Sequence, residues 1–219
     1  MSGARRVAAG LRGYAVAWVY LGCFVAVQVV YARLGPHAQA TFVAWASTSV
    51  ANLEHHPVGC LVVSAFVTGG NAWAAMAWLP LIAIGLCGAV NAVGGWRTAA
   101  VCVAGHVVGT LVSEGIVAWR VAVGALPPGY RYLTDVGPSY VVVSAVVVAV
   151  LCGSRRWRLL AALDLVVLVF VVRIFSGITH LDVAAVGHLT AIATAAASVP
   201  LLTRRRETVA AVGSRDARH

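Results

Sequence analysis

The chain has 219 residues, of which 61% are hydrophobic and only 11% are charged. A soluble domain carries about 25% charged residues, so this composition excludes a water-soluble globular protein and implies a polytopic, all-α protein held in a lipid bilayer. The net charge is +9 and every base is arginine. These arginines stand at the ends of apolar runs, which assigns the excess to membrane orientation and not to nucleic acid.

In chain order, residues 1–12 read as a basic cytoplasmic lead, expected to be disordered, that carries Arg5, Arg6 and Arg12. The apolar run 13–31 reads as a retained first span: it is long and has no clean small-residue cleavage site after it. Residues 37–56 mix polar and apolar types. The helical spacing of Phe42, Trp45, Val50 and Leu53 suggests an amphipathic helix lying at the membrane interface. Pro57 opens an apolar piece, 57–68, that is too short to span. Gly69, Gly70 and Asn71 interrupt it, and it reads as a re-entrant segment.

Five further spans follow, at 72–93, 98–122, 139–152, 157–175 and 182–202. A stretch of about 20 apolar residues crosses roughly 30 Å of hydrocarbon. The expected architecture is a bundle of six transmembrane helices over residues 13–203 with a long, partly helical first outer loop. A basic, disordered tail, 204–219, closes the chain. Six spans place both termini on one side. Ten arginines (Arg5, Arg6, Arg12, Arg97, Arg155, Arg156, Arg158 and Arg204 to Arg206) share that side, against Arg33, Arg120 and Arg131 on the other. The positive-inside rule makes the richer side cytoplasmic and the protein a multi-pass component of the plasma membrane. The five cysteines are scattered, form no Cys-x-x-Cys pair and read as small packing residues.

The fourth span is the short one. Its 14 residues rise about 20 Å, roughly 10 Å less than the hydrocarbon thickness. Arg155, Arg156 and Arg158 pin its cytoplasmic end, so Ser139 at its start is expected to lie sunk below the outer surface. His188 lies six residues into the last span, about 9 Å deep by the same rise. The two residues are thus expected at matching depth. Histidine is the usual base that activates a serine nucleophile, and free amides at the start of a helix can hold an oxyanion. The alternatives are that Ser139 serves as a helix cap and that His188 is a buried polar group bonded between helices.

Other ionisable residues fall inside the spans, where they are costly and face the bundle interior. His106, Thr110 and Glu114 recur every four residues and climb one side of the third span. They read as a structural polar network, with a proton relay as the functional alternative. Matching depths suggest two interhelical pairs, Asp164 with His106 and Arg173 with Glu114. Glu54, His55, His56, His180 and Asp182 show no standard ligand spacing, so neither a metal nor a cofactor is expected.

Residues 13–203 resemble the rhomboid intramembrane serine proteases, and more closely their actinobacterial rhomboid-like relatives. Gly137-Pro138-Ser139-Tyr140 is similar to the rhomboid Gly-x-Ser-Gly at the start of the fourth span, and Gly187-His188-Leu189-Thr190-Ala191 to the sixth-span Ala-His-x-x-Gly. The long first loop and Gly94-Gly95 at the end of the second span resemble the same fold. The resemblance implies Ser139 as nucleophile, His188 as general base, and Gly137, Asn71 and Tyr140 as cleft or oxyanion support. It implies peptide-bond hydrolysis in or near a substrate's transmembrane helix, with no cofactor.

Four departures bear on that activity. Tyr140 and Ala191 stand where the family has glycines that let the fourth and sixth helices approach, and Pro138 before the serine is similar to inactive relatives. The second span lacks the His-x-x-x-Asn pattern, leaving Asn71 as a displaced substitute. Three functions therefore compete: an intramembrane serine protease acting on membrane-protein substrates, a non-catalytic rhomboid-like protein that binds membrane helices, and a small proton-linked transporter using His106, Glu114 and Asp164. Against the last, no inverted repeat relates the two halves.

Overall fold

The computed structural model describes the backbone of residues 13–216 and, within that range, the side chains other than those of Ala72 and 203–216. The expected lead, 1–12, lies outside the described residues. Nine α-helices and no strand occur among them: α1 (Ala15–Ala32), α2 (Pro36–Ala46), α3 (Val50–His55), α4 (Pro57–Ser64), α5 (Ala72–Val93), α6 (Gly95–Ala122), α7 (Ser139–Cys152), α8 (Arg155–Phe170) and α9 (Val183–Asp216). Short 3₁₀ turns at Pro128–Tyr132 and Ile178–His180 punctuate the loops. The protein is an all-α membrane bundle. α1, α5, α6 and the first part of α9 are long and apolar enough to cross a bilayer, whereas α7 is a shorter apolar helix of 14 residues.

The short helix is the centre of the bundle. α7 packs against α5, α6, α8 and α9, while α1 sits outside on α5. Its residues Tyr140 to Ala149 are all buried, as expected of a helix that is apolar on every side. The neighbours come close because they are small where they meet it. A β-carbon on Gly105 of α6 would collide with the Ser144 hydroxyl, and one on Gly187 of α9 would collide with the Tyr140 hydroxyl. Ala191 is fully buried beside Gly109 of α6, so in this chain α6 supplies glycines at the α6–α9 crossing.

The connections follow local chemistry. Gly94, at φ 90°, makes the reversal between α5 and α6, a conformation that a side chain would strain. Pro57 occupies the first turn of α4. The segment expected as one amphipathic helix is instead two, α2 and α3, broken at Ser47-Thr48. Those two residues are used to bind the loop before α7, and Ser49 then caps α3 by accepting from the Asn52 amide.

Two other boundaries differ from expectation. α8, the expected fifth span, ends at Phe170, not at 175; the chain turns there, and Arg173 takes the left-handed conformation at φ 60°. The last helix runs through the expected disordered tail to Asp216. Its Ala- and Arg-containing sequence has good helix propensity and extends a helix already nucleated in the bundle.

Candidate functional site

The site is built where α7 and α9 begin, under the loop 133–138. That loop is stitched to the break between α2 and α3. The Thr48 amide donates to the Asp135 carbonyl at 2.9 Å, and the Asp135 amide donates to Ser47 Oγ at 2.9 Å. The Gly137 amide donates to the Ser64 carbonyl at the end of α4, also at 2.9 Å. Gly137 stands at φ 148°, which suits glycine. Its amide is committed to docking the loop, so Gly137 shapes the cleft without offering its N–H to an oxyanion.

Ser139 and His188 line the same cavity, of about 230 Å³, with Thr68, Trp78, Gly137, Arg173 and Ile174 on its walls. Ser139 is the first residue of α7, and the N-cap position before it is taken by Pro138. His188 is 5% exposed, and neither ring nitrogen has a hydrogen-bond partner. The carbonyls of Ile174 and Ala184 lie beside the ring, outside hydrogen-bond geometry. No Ser139–His188 hydrogen bond is formed, so the two side chains share the cavity without touching through one.

Tyr140 explains this arrangement. Its ring meets the His188 ring edge-on, with centroids 4.9 Å apart. Its hydroxyl donates towards Asp135 Oδ2 at 3.0 Å and the Val183 carbonyl at 3.3 Å. One side chain therefore ties the start of α7 to the loop before it and to the start of α9. Gly187 provides the space for it. The room lost by having tyrosine after the serine is recovered by having glycine before the histidine. Burial pushes the Asp135 carboxyl above its ordinary value, and the hydrogen bonds from Tyr140 and Thr48 pull the other way.

Asn71 is placed elsewhere. It caps α5, its Oδ1 accepting from the Ala74 amide at 3.0 Å, and it lines a separate cavity of about 600 Å³ between α1 and α5. The side chains that α5 and its preceding loop bring to the Ser139 cavity are Trp78 and Thr68, and sequence spacing alone did not single these out.

The expected ion pairs are not formed. His106 Nε2 lies 2.8 Å from the Leu61 carbonyl and 3.3 Å from Ser64 Oγ, so its partner is α4. The Asp164 and Glu114 carboxylates have no hydrogen-bond partner, and Glu114 sits beside the start of α3. Arg173 is exposed at the cavity rim. The reason is azimuth: α7 packs between α6 and α8, so equal depth does not bring Asp164 to His106. Unwinding after Phe170 carries Arg173 away from Glu114. His106, Thr110 and Glu114 do share the buried side of α6. No group of three or more His, Cys, Asp or Glu side chains suited to a metal occurs among the described residues.

The model of the family described as "Rhomboid-like protein" matches residues 9–208, nearly the whole chain. No curated protein and no solved structure matches it.

Proposed function

As this chain belongs to the rhomboid-like protein family, we propose that it is an intramembrane serine protease with Ser139 as nucleophile and His188 as general base. The observation that carries this reading is the shared cavity, which Ser139 and His188 line from different helices with both His188 ring nitrogens unpartnered. Ser139 Oγ attacks the carbonyl carbon of a peptide bond in a partly unwound transmembrane segment, and His188 takes the hydroxyl proton. The same imidazolium then protonates the leaving amine. Water, deprotonated by His188, releases the acyl group from Ser139. In this reading the first-turn amides of α7 are the donors to the developing oxyanion.

The hydrogen bond between the two residues closes when substrate enters, since catalytic contacts are often long in an unliganded enzyme. The membrane is the plasma membrane, with both termini cytoplasmic and the cavity opening to the outer side. A second reading, a non-catalytic member that binds membrane helices, is favoured by Tyr140, whose ring lies against His188. It is also favoured by the absence of a histidine between Ala72 and Val93 of α5.

Labelling the purified protein with a fluorophosphonate decides between them. Covalent labelling of the wild type that disappears in Ser139→Ala and falls at least tenfold in His188→Ala supports the protease. A folded wild type that takes no label overturns it in favour of the non-catalytic reading.

A further inference from the structure

The end of the bundle away from the Ser139 cavity carries a surface that the proposed chemistry does not use. α8 begins with Arg155 and Arg156. Both are exposed, and neither makes a hydrogen bond or ion pair among the described residues. Among the described residues, Arg97 donates to the Leu202 carbonyl at 3.0 Å, and Arg158 to the Gly153 carbonyl at 3.5 Å. The free pair borders a shallow, open groove that Leu159 and Leu160 also line.

An apolar ridge continues the groove along one face of α8. Leu159, Leu163, Val166 and Phe170 are 64%, 61%, 51% and 75% exposed. Their spacing of four, three and four residues keeps them in one line. From Leu159 to Phe170 the ridge rises about 16 Å, close to one leaflet of a hydrocarbon core roughly 30 Å thick. Two uncompensated guanidinium groups at the polar boundary, followed by one leaflet's length of continuous apolar surface, have the chemistry of a headgroup and its tail in that order.

We propose that this face of α8 is a binding site for an anionic phospholipid. Arg155 and Arg156 hold the phosphodiester, and the Leu159–Phe170 ridge seats one acyl chain. Arginine suits the task because its planar fork matches two phosphate oxygens at once. The charge of the site selects lipids of net negative headgroup over zwitterionic ones. Binding here does not depend on whether Ser139 is catalytic.

The test is native mass spectrometry of the full chain in detergent, titrated with dioleoylphosphatidylglycerol, dioleoylphosphatidylcholine or inorganic phosphate. One phosphatidylglycerol is expected to be retained at concentrations where phosphatidylcholine is not. Arg155→Gln/Arg156→Gln is expected to weaken it on the order of 30-fold, from about one unit of surface attraction per arginine. Arg155→Lys/Arg156→Lys, which keeps the charge and loses the bidentate fork, should bind more weakly than the wild type and more tightly than the glutamine variant. Leu159→Asn/Leu163→Asn leaves the arginines in place and should also weaken it, which keeps the test open if the glutamine variant does not fold. Equal retention of both lipids, or unchanged binding in the glutamine and asparagine variants, overturns the proposal. So does displacement of the lipid by inorganic phosphate, which marks a simple anion site, or a dimer that covers this face in place of lipid.

Discussion

Gly187→Ala isolates the contact that distinguishes this site. A β-carbon at position 187 would meet the Tyr140 hydroxyl and ring, in a buried position of α9. The ring cannot swing away freely, because its hydroxyl is held by Asp135 and the Val183 carbonyl. Overpacking of this kind costs about 1–3 kcal/mol, and loosening the hydroxyl's hydrogen bonding adds about 1 kcal/mol. Against this, alanine in place of glycine inside a helix gains up to about 1 kcal/mol. The net expectation is a loss of about 1–3 kcal/mol in the wild-type background. In a Tyr140→Ala background the obstacle is gone, and the same substitution should be neutral or slightly stabilising. Thermal or denaturant unfolding in a fixed detergent, run as a double-mutant cycle, reads the difference directly. If Gly187→Ala costs as much with alanine at 140 as with tyrosine, the contact between α7 and α9 is not the reason for the glycine.

Three further outcomes follow from the geometry. The Asp135 carboxyl lies above its ordinary value of 3.8 in the folded protein, so the unfolded chain releases this proton first. Its contribution to stability is therefore fully present below about pH 3.8 and declines as pH rises through the folded value; Asp135→Asn should flatten that part of a stability–pH profile. His106→Phe removes the contacts to Leu61 and Ser64 and should loosen α4 by about 1–3 kcal/mol, measured as faster modification of the buried Cys60 by a thiol reagent. The Glu54–Arg131 ion pair is 53% and 34% exposed, so Glu54→Gln should cost no more than about 1 kcal/mol, and less at high salt.

Much of the bundle was legible because one-dimensional signals decide it. Apolar runs ended by arginine or glycine marked α1, α5, α6 and α7 closely, and α7 begins at Ser139 as its flanking proline and glycine suggest. Loops and ends were harder. The break between α2 and α3 exists because Ser47 and Thr48 bind Asp135, a partner almost ninety residues away that no local pattern announces. The end of α8 at Phe170 is equally non-local: Ile174 is buried in the core, with Phe175 packed partly against it and Arg173 exposed, so the turn serves tertiary packing.

Depth along a helix can be counted from sequence, because each residue adds a fixed rise. That arithmetic was enough to suggest that Ser139 and His188 stand level. Rotation about the helix axis, and the identity of the neighbouring helix, cannot be counted in this way, because they depend on how six surfaces interlock. Azimuth separated Asp164 from His106 with α7 between them, sent Asn71 to another cavity, and laid Tyr140 against His188 over Gly187. Composition and spacing determined that this is a membrane bundle with a short helix that begins at a serine. Only the packing of α6, α7 and α9 decided that the serine and histidine face one cavity with a tyrosine beside the histidine.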